Sequence, residues 1–287
     1  TKDADVKTAQ TNGEQAINKV NVPDTSATKE AAKNAIDQAA QAKNDAIGKS
    51  NLTDEEKAAL KQTVSDEVNK AKAAIDSATK DADVKTAQTN GEKAINAVEI
   101  PKSSKTKNDA NKEIDSTADA AKNAIDKTSG LTADQKQTAK GQIDQAVTDA
   151  QEKIKNTSDN QGVADAKDAG KLAIDKDAAN AAIDDALNKK KSEITGATNL
   201  DQPTKDKLIQ EATDAATKAK DAIDKATTNN DVATEQTKGT NAIDAVKVPS
   251  LTDSQSAAKK AIDDALNGIP VKSNSVDDQD NSATNEG

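Results

Sequence analysis

A recurring segment constrains the fold of this chain more than any other feature. The letters TKDADVKTAQTNGE begin at Thr1 and begin again at Thr79. Two looser copies keep a valine, a glycine and an isoleucine at the same spacing. The four Val–Ile pairs, each eleven residues apart and each enclosing one glycine, are Val6–Ile17 (Gly13), Val84–Ile95 (Gly91), Val163–Ile174 (Gly170) and Val232–Ile243 (Gly239). Repetition at such intervals is typical of arrays of one supersecondary unit.

Two further segments recur in step with the first, and both have helical periodicity. One carries isoleucines eleven residues apart, close to three turns of an α-helix: Ile36 and Ile47, Ile114 and Ile125, Ile183 and Ile194. The other carries apolar residues at spacings of four, four, three and four: Leu60, Val64, Val68, Ala71 and Ile75, then Ala139, Ile143, Val147, Ala150 and Ile154, then Leu208, Ala212, Ala216, Ala219 and Ile223. These spacings predict one apolar stripe along each helix.

The expected ends of the helices carry capping residues. Thr53 with Glu56 and Thr132 with Gln135 have the spacing of a capping box. In the third copy Asp201 takes the cap position, and Pro203 follows in the first turn, where a missing N–H costs little. We expect Gly48, Gly130 and Gly196 to close the first helix of each unit.

The predicted fold class is all-α, with tandem three-helix-bundle repeats forming an elongated rod. Residues 1–23 are expected to be the last helix of a preceding repeat and 250–270 the first helix of a truncated one. Three repeat units occupy 24–101, 102–175 and 176–249, and 271–287 reads as a disordered tail. A V-x-[VI]-P motif ends three of the four glycine-bearing helices, but it is missing after Ile174. We therefore predict one continuous helix from the second unit into the third.

The recurrent mid-helix glycine has two interpretations. It allows two helices to approach closely where a side chain would not fit, or it marks a place where a ligand meets the backbone. The first is favoured over the second, and the possibility left besides these two is a simple kink or a glycine that the helix merely tolerates.

The composition excludes several classes of function. The chain has no Cys, Met, Trp, Tyr, Phe, His or Arg, and 50 acidic residues against 40 lysines give a net charge of −10. A zinc or haem site and a Ser–His or Cys–His nucleophile therefore cannot be built. An acidic chain without aromatic residues is also a poor partner for nucleic acid. We predict no enzyme and no cofactor, and we name no catalytic, cofactor-binding or metal-binding residue.

A few short motifs are weak. Asp3 with Asp5, the SDNQG run at 158–162 and the DDQD run at 277–280 lack the twelve-residue loop of a calcium site. Lys189–Lys191 reads as a solvated helix face, and Asn51 and Asn156 match the glycosylation pattern at a frequency that chance explains. No apolar run approaches the roughly 18–20 residues of a membrane span. The chain begins with Thr and without a secretory signal, so we take it to be a fragment or a processed product.

Three marks resemble a known family when taken in order and in period. They are NLTDEEK at 51–57, the A-K-x-A-I-D run at 71–76 and the V-x-x-A-x-x-x-G-x-x-A-I segment at 84–95. Together they resemble the helical repeat of unknown function that occurs in tandem in giant Gram-positive surface proteins of the extracellular-matrix-binding type. Copies of the pattern cover nearly all of residues 1–270.

The resemblance implies a non-enzymatic stalk, attached to the cell wall through other parts of the parent chain and linked to adhesion, aggregation or biofilm. The partners it suggests are host extracellular-matrix or serum proteins, or the surfaces of other cells. We expect a monomer that inserts into no membrane. One alternative is a specific host-ligand module, which would expose an apolar patch; Leu172 and Leu187 are the unusual additions. Another is a desiccation-protective hydrophilic protein, which would be a random coil in water.

Overall fold

The computed structural model describes residues 2–21 and 26–268 of the chain. Ten α-helices occupy this described part: α1 Asp3–Asn18, α2 Ala27–Gly48, α3 Asp54–Ser77, α4 Asp81–Ala97, α5 Lys105–Asp126, α6 Ala133–Asn156, α7 Asn160–Gly196, α8 Gln202–Lys225, α9 Asn229–Asp244 and α10 Leu251–Asn267. The described residues contain no strand, so the all-α fold class is confirmed. The joint at Pro23 and the tail predicted at 271–287 lie outside the described residues.

The chain divides into two compact units, and the division runs through the middle repeat. The first unit holds residues 1–116 and 147–170, and the second holds residues 117–146 and 171–287.

The first unit contains the complete first repeat. Helices α2, α3 and α4 each pack against the other two, and their isoleucines and valines form one core. The fully buried members include Ile36, Ile47, Val64, Ile75 and Ile95. Leu60 and Val68 are partly buried and pack against the same core. The predicted stripe of α3 is therefore the face that lies against α2 and α4.

The middle repeat contributes one half to each unit. In the first unit, the start of α7 meets the end of α6 and the start of α5 where Gly170 approaches Ala150 and Ile114. Ile114, Ile154 and Val163 of this half are all buried. In the second unit, the end of α5 lies beside the start of α6, where Lys140 pairs with Asp126 at 2.7 Å. Ile125 and Ile143 are buried there.

The second unit contains the complete third repeat. Ala179, Ile183 and Leu187 of α7 share a core with α8 and α9. Helix α7 runs without a break from Asn160 to Gly196, through the position where the sequence lacks the proline joint. Its side chains therefore belong to the middle repeat at one end and to the third repeat at the other.

The mid-helix glycines lie at close helix approaches, as predicted, in three of four copies. A methyl group built on Gly91 would overlap the Cβ of Ala71 and come within 2.7 Å of the Cδ1 of Ile36. Gly170 meets Ala150 and Ile114 in the same way, and Gly239 meets Ala219 and Ile183. Gly13 differs, because no atom outside its own helix backbone lies within 4 Å of that position.

The predicted N-terminal caps are confirmed. Thr53 Oγ1 accepts a hydrogen bond from the Glu56 N–H, and a Glu56 carboxylate oxygen accepts one from the Thr53 N–H. Thr132 and Gln135 exchange the same pair of bonds. Asp201 caps α8, and Pro203 lies in its first turn.

The prediction that glycines close the first helices is wrong for one of the three. Helix α5 ends at Asp126, four residues before Gly130, because the Thr128 hydroxyl donates a hydrogen bond to the Ile125 carbonyl at the end of the helix. Helices α2 and α7 do end at Gly48 and Gly196, yet neither glycine adopts the left-handed conformation of the usual glycine cap.

Every residue of α1 and α10 whose burial the structure describes is exposed. Val6 and Ile17 were expected to face a core, but they are 60% and 72% exposed. Ile262 and Leu266 of α10 are exposed to a similar degree. Both helices have an apolar stripe in the sequence, but in the structure the large side chains of these stripes are exposed.

Candidate functional site

In each repeat, the lysine seven residues before the first core isoleucine (Ile36, Ile114 or Ile183) binds the end of the second helix. Lys29 Nζ donates to the Asp76 carbonyl at 2.8 Å, Lys107 to the Lys155 carbonyl at 2.9 Å, and Lys176 to the Asp224 carbonyl at 2.7 Å. The last carbonyls of a helix have no partner within the helix, and they carry the negative end of its dipole. An ammonium group at this position therefore satisfies both the hydrogen bond and the charge.

A second lysine binds the end of the third helix, but only where that helix ends. Lys43 donates to the carbonyls of Asn96 at 2.8 Å and Val98 at 3.0 Å. Lys190 donates to the Asp244 carbonyl at 3.2 Å and to Glu193 at 2.7 Å. The corresponding position of the middle repeat, four residues before Ile125, is Ala121. The third helix of the middle repeat is the first part of α7, which continues past Ile174. Its carbonyls there remain bonded within the helix, so none is left for a lysine to bind.

The start of α3 connects the first repeat to the middle repeat inside the first unit. One carboxylate oxygen of Glu56 accepts hydrogen bonds from the Thr106 N–H at 3.0 Å and the Thr106 hydroxyl at 3.2 Å. Glu55 accepts the Asn160 N–H at 2.9 Å, and the Asp54 N–H donates to the Ser158 carbonyl at 2.7 Å. We call the three residues Asp54, Glu55 and Glu56 the acidic clamp. It binds the start of α5 and the α6–α7 turn.

The electrostatics of Glu56 fit this role. Burial by itself raises the pKa of the Glu56 carboxyl group. The hydrogen bonds from Thr106, Thr53 and Ser104 outweigh burial and leave the pKa below its ordinary value. The carboxylate is thus held ionised at the joint, opposite the positive end of the α5 dipole.

A different contact lies at the α5–α6 turn of the second unit. Asp185 of α7 accepts the Gly130 N–H at 2.6 Å, and the Asn188 amide donates to the Gly130 carbonyl at 3.1 Å. A methyl group on Gly130 would meet the Asp185 backbone carbonyl at 2.5 Å. This glycine is therefore required by the close approach of α7 and not by the end of a helix.

The middle of α7 carries two half-buried carboxylates. Burial raises the pKa of Asp175, although Lys171 and a hydrogen bond from Asn229 lower it in part. Burial also raises the pKa of Asp177, and the nearby Asp224 raises it further. A shallow cavity of about 350 Å³ lies beside Asp177 and Asp224. No group of three or more carboxylates in the described part of the chain is arranged to hold a metal ion.

The weak motifs of the sequence are placed as follows. Asp3 and Asp5 lie in the exposed first turn of α1, and Asp159 caps the first turn of α7 by accepting the Gly162 N–H at 2.8 Å. Asn51 and Asn156 are exposed, and 277–280 lies outside the described residues. The prediction of a solvated face at Lys189–Lys191 is wrong for Lys190, which is 8% exposed. Two acceptors, one on α7 and one on α9, explain its burial, and periodicity within one helix could not reveal the second.

The apolar residues that could have marked a ligand-binding patch lie in the core. Leu187 is buried, and Leu172 is partly buried and packs against the same cluster of the third repeat. Among the described residues, the large exposed apolar side chains belong to α1, to α10 or to the segment just after α1: Val6, Ile17, Val20, Ile262 and Leu266. Within residues 2–21 and 26–268, no helix combines the length and apolarity needed to cross a bilayer.

One protein family matches most of the chain. Its description is Domain of Unknown Function (DUF1542), and it matches three consecutive segments, at residues 28–103, 106–177 and 175–251. The chain belongs to this family. The match in three tandem copies confirms the resemblance that the sequence marks suggested. The DUF1542 repeats of this chain thus account for all helices from α2 to α9.

Two curated relatives carry a similar region. Both are described as "Extracellular matrix-binding protein ebh", from Staphylococcus aureus strains MW2 and MRSA252. Each is 36% identical to this chain over 117 residues, which is 41% of this chain and 1% of the relative. The chain therefore spans a very small part of the length of these relatives. No solved structure matches the chain.

Proposed function

We propose that this chain is a non-enzymatic stalk segment of an extracellular, wall-attached bacterial surface protein. The observation that carries the proposal is the use of the apolar residues. In the three DUF1542 repeats the large aliphatic side chains whose burial the structure describes are buried or partly buried, so they hold the helices together and leave a surface of charged and small polar residues and alanine. Such a surface suits a spacer that projects a binding region without itself adhering to neighbours.

The joints support the same role. A stalk transmits position along its length only if successive repeats are held to each other by specific contacts. The acidic clamp provides such contacts between the first and middle repeats. The middle and third repeats share one continuous helix, α7. The net negative charge would also keep the segment away from an anionic cell wall.

The experiment places the chain between a wall anchor and a reporter binding domain on a Gram-positive cell. A second strain carries the same fusion without the chain, and a third carries a disordered Gly/Ser linker of equal residue number. We expect the reporter to be more accessible to a bulky ligand with the chain than with either control. Equal accessibility with the chain and without it would refute the stalk.

A second candidate is direct binding of an extracellular-matrix protein. The name of the relatives favours it, although the aligned region is 1% of those proteins. Purified chain passed over immobilised fibronectin, collagen and albumin tests it. Saturable binding that survives physiological salt would support this candidate over the spacer, and a signal equal to that of a blank surface would remove it. Contributions to aggregation and biofilm belong to the parent protein and are tested by deleting the repeats there.

A further inference from the structure

Helix α1 is a third helix without its bundle, and the first repeat shows what is missing. Residues 1–14 and 79–92 are identical. In α4 this segment and the isoleucine that follows it place Val84 and Ile95 in the core, at 2% and 0% exposure, and Gly91 against Ala71 and Ile36. In α1 the matching Val6 and Ile17 are exposed and Gly13 has nothing near it. The same surface is filled in one copy and open in the other.

The filled copy defines the shape of the missing partner. Helix α4 packs on α2 and on α3 to a similar extent, so its stripe is covered by two antiparallel helices. The partner must place an alanine against the glycine and an isoleucine tip beside it, as Ala71 and Ile36 do for Gly91. A single helix, or a flat apolar surface, would not satisfy both contacts.

The start of the first repeat shows a second open surface that is independent of α1. In the middle repeat, Ser104 and Thr106 lie ten and eight residues before Ile114 and are occupied by the acidic clamp. Ser26 and Thr28 lie ten and eight residues before Ile36, and both are exposed.

The α3–α4 turn of the first repeat is open in the same way. Ser158 and Asn160, which the clamp binds, lie four and six residues after Ile154. The residues in the same places after Ile75 are Thr79 and Asp81, and both are exposed. The first repeat therefore presents every position to which an acidic clamp binds. In the part of the chain that the structure describes, no clamp is bound there.

We infer that α1 and the start of the first repeat together form a docking surface for a two-helix hairpin of the α2–α3 type, with Asp-Glu-Glu at the start of its second helix. The hairpin closes a bundle with α1 and binds its acidic clamp to Ser26, Thr28, Thr79 and Asp81. One partner explains both open surfaces, since α3 carries the core alanine and the clamp on the same helix.

The experiment lengthens the full chain at its first residue by a copy of residues 24–78. This reproduces the natural connection, because residue 78 is followed in the chain by the same fourteen residues that begin at Thr1. Hydrogen exchange of the α1 amides is compared with and without the extension, and α8 and α9 serve as the internal reference. We expect the α1 amides to exchange on the order of 100-fold more slowly in the lengthened chain, while α8 and α9 are unchanged.

Three variants separate specific docking from general ordering. Ile36→Asp in the added copy alone removes the isoleucine tip and should return α1 to fast exchange. Gly13→Ala should speed α1 exchange in the lengthened chain but not in the original chain. Glu56→Gln in the added copy should loosen the Thr28 amide and leave α1 largely protected. Unprotected α1 amides in the lengthened chain, or protection that survives Ile36→Asp, would overturn the inference.

Discussion

Gly91 lies where α4 crosses the other two helices of its bundle. The cost of adding one methyl group there is set by the position of α3 and not by helix propensity, because the first atom in its way is the Cβ of Ala71, which can move only with the α3 backbone. The identical residue context around Gly13 lacks that obstacle. The chain thus contains its own matched control for a close helix approach.

We expect Gly91→Ala to lower the free energy of unfolding of the first repeat by roughly 1–3 kcal/mol, as for other overpacked cores. Gly13→Ala should lower nothing, since alanine is the better helix former by up to about 1 kcal/mol where it has room. Urea titrations of both variants, followed by circular dichroism, measure the difference. Equal effects of the two substitutions would contradict the close approach.

Lys43 gives a second prediction at the scale of one residue. Lys43→Met keeps the aliphatic part of the side chain but removes the ammonium group that binds the last carbonyls of α4. We expect a loss of about 1 kcal/mol from the free energy of unfolding, because two carbonyls lose a charged donor at the negative end of the dipole. Lys61→Met on the exposed face of α3 is the control and should change the stability little.

Half-buried carboxylates in α7 make a prediction about pH. Because the pKa of Asp177 is raised in the folded chain, its ionised form destabilises the fold above that pKa, and the penalty disappears as the pH falls below the unfolded pKa. Asp177→Asn should therefore raise the melting temperature at pH 7 and have little effect in strong acid. Asp221→Asn, at an exposed position of α8, is the control. A gain that is the same at both pH values would contradict the burial of Asp177.

At the scale of helices, one residue of the acidic clamp has two roles: Glu56 caps its own helix and binds the next repeat. The Glu56 side chain completes the capping box of α3 and also binds Thr106 of the next repeat. A glutamine there offers one acceptor oxygen and a donor that faces other donors. The joint between two repeats therefore depends on a group that also holds the first turn of its own helix.

Glu56→Gln should lower the free energy of unfolding by about 1–2 kcal/mol near neutral pH. Since the pKa of Glu56 is lowered by folding, its stabilisation is present above the unfolded pKa and is lost as the pH falls through the folded pKa. The difference between variant and parent should accordingly shrink in acid. Glu152→Gln on the exposed face of α6 tests whether the change is only one of net charge. If both variants behave alike, Glu56 is not a joint residue.

The sequence predicted the stripes and caps because both are local. Spacings of three and four residues decide which face of a helix is apolar, and a capping box lies within four residues. Contacts between distant segments could not be found in this way. The burial of Lys190 depends on a carbonyl of α9, and the need for glycine at position 130 depends on Asp185 of α7.

Helix α1 shows most clearly what the local sequence pattern cannot predict. Val6 and Val84 occupy identical fourteen-residue contexts, yet one is 60% exposed and the other 2%. No property of the segment itself distinguishes them. Burial follows from which helices the rest of the chain supplies, so a periodic stripe predicts the face that can be buried and not whether it is.

At the scale of the whole molecule, the question is whether these sparse aliphatic cores fold in water. The repeats contain no aromatic residue, and alanine fills much of each core, as at Ala212, Ala216 and Ala219. A desiccation-protective protein of similar composition would be unfolded in dilute buffer and would become helical on drying. The two possibilities predict opposite spectra for the same sample.

We expect the full chain to give a strongly helical far-ultraviolet spectrum in dilute buffer and to lose it cooperatively on heating, because the core isoleucines of each complete repeat are contributed by three helices that must separate together. Trifluoroethanol, which induces helix without tertiary contacts, should add little signal beyond that of helices that lack partners, such as α1 and α10. The control is a chain in which Ile36, Ile75 and Ile95 of the first repeat are replaced by Ser, and its spectrum should lose about one repeat's share of helix. A random-coil spectrum of the parent chain, or a gradual loss of signal that the triple variant does not alter, would show that the stripes are not buried and would remove the basis for a stalk.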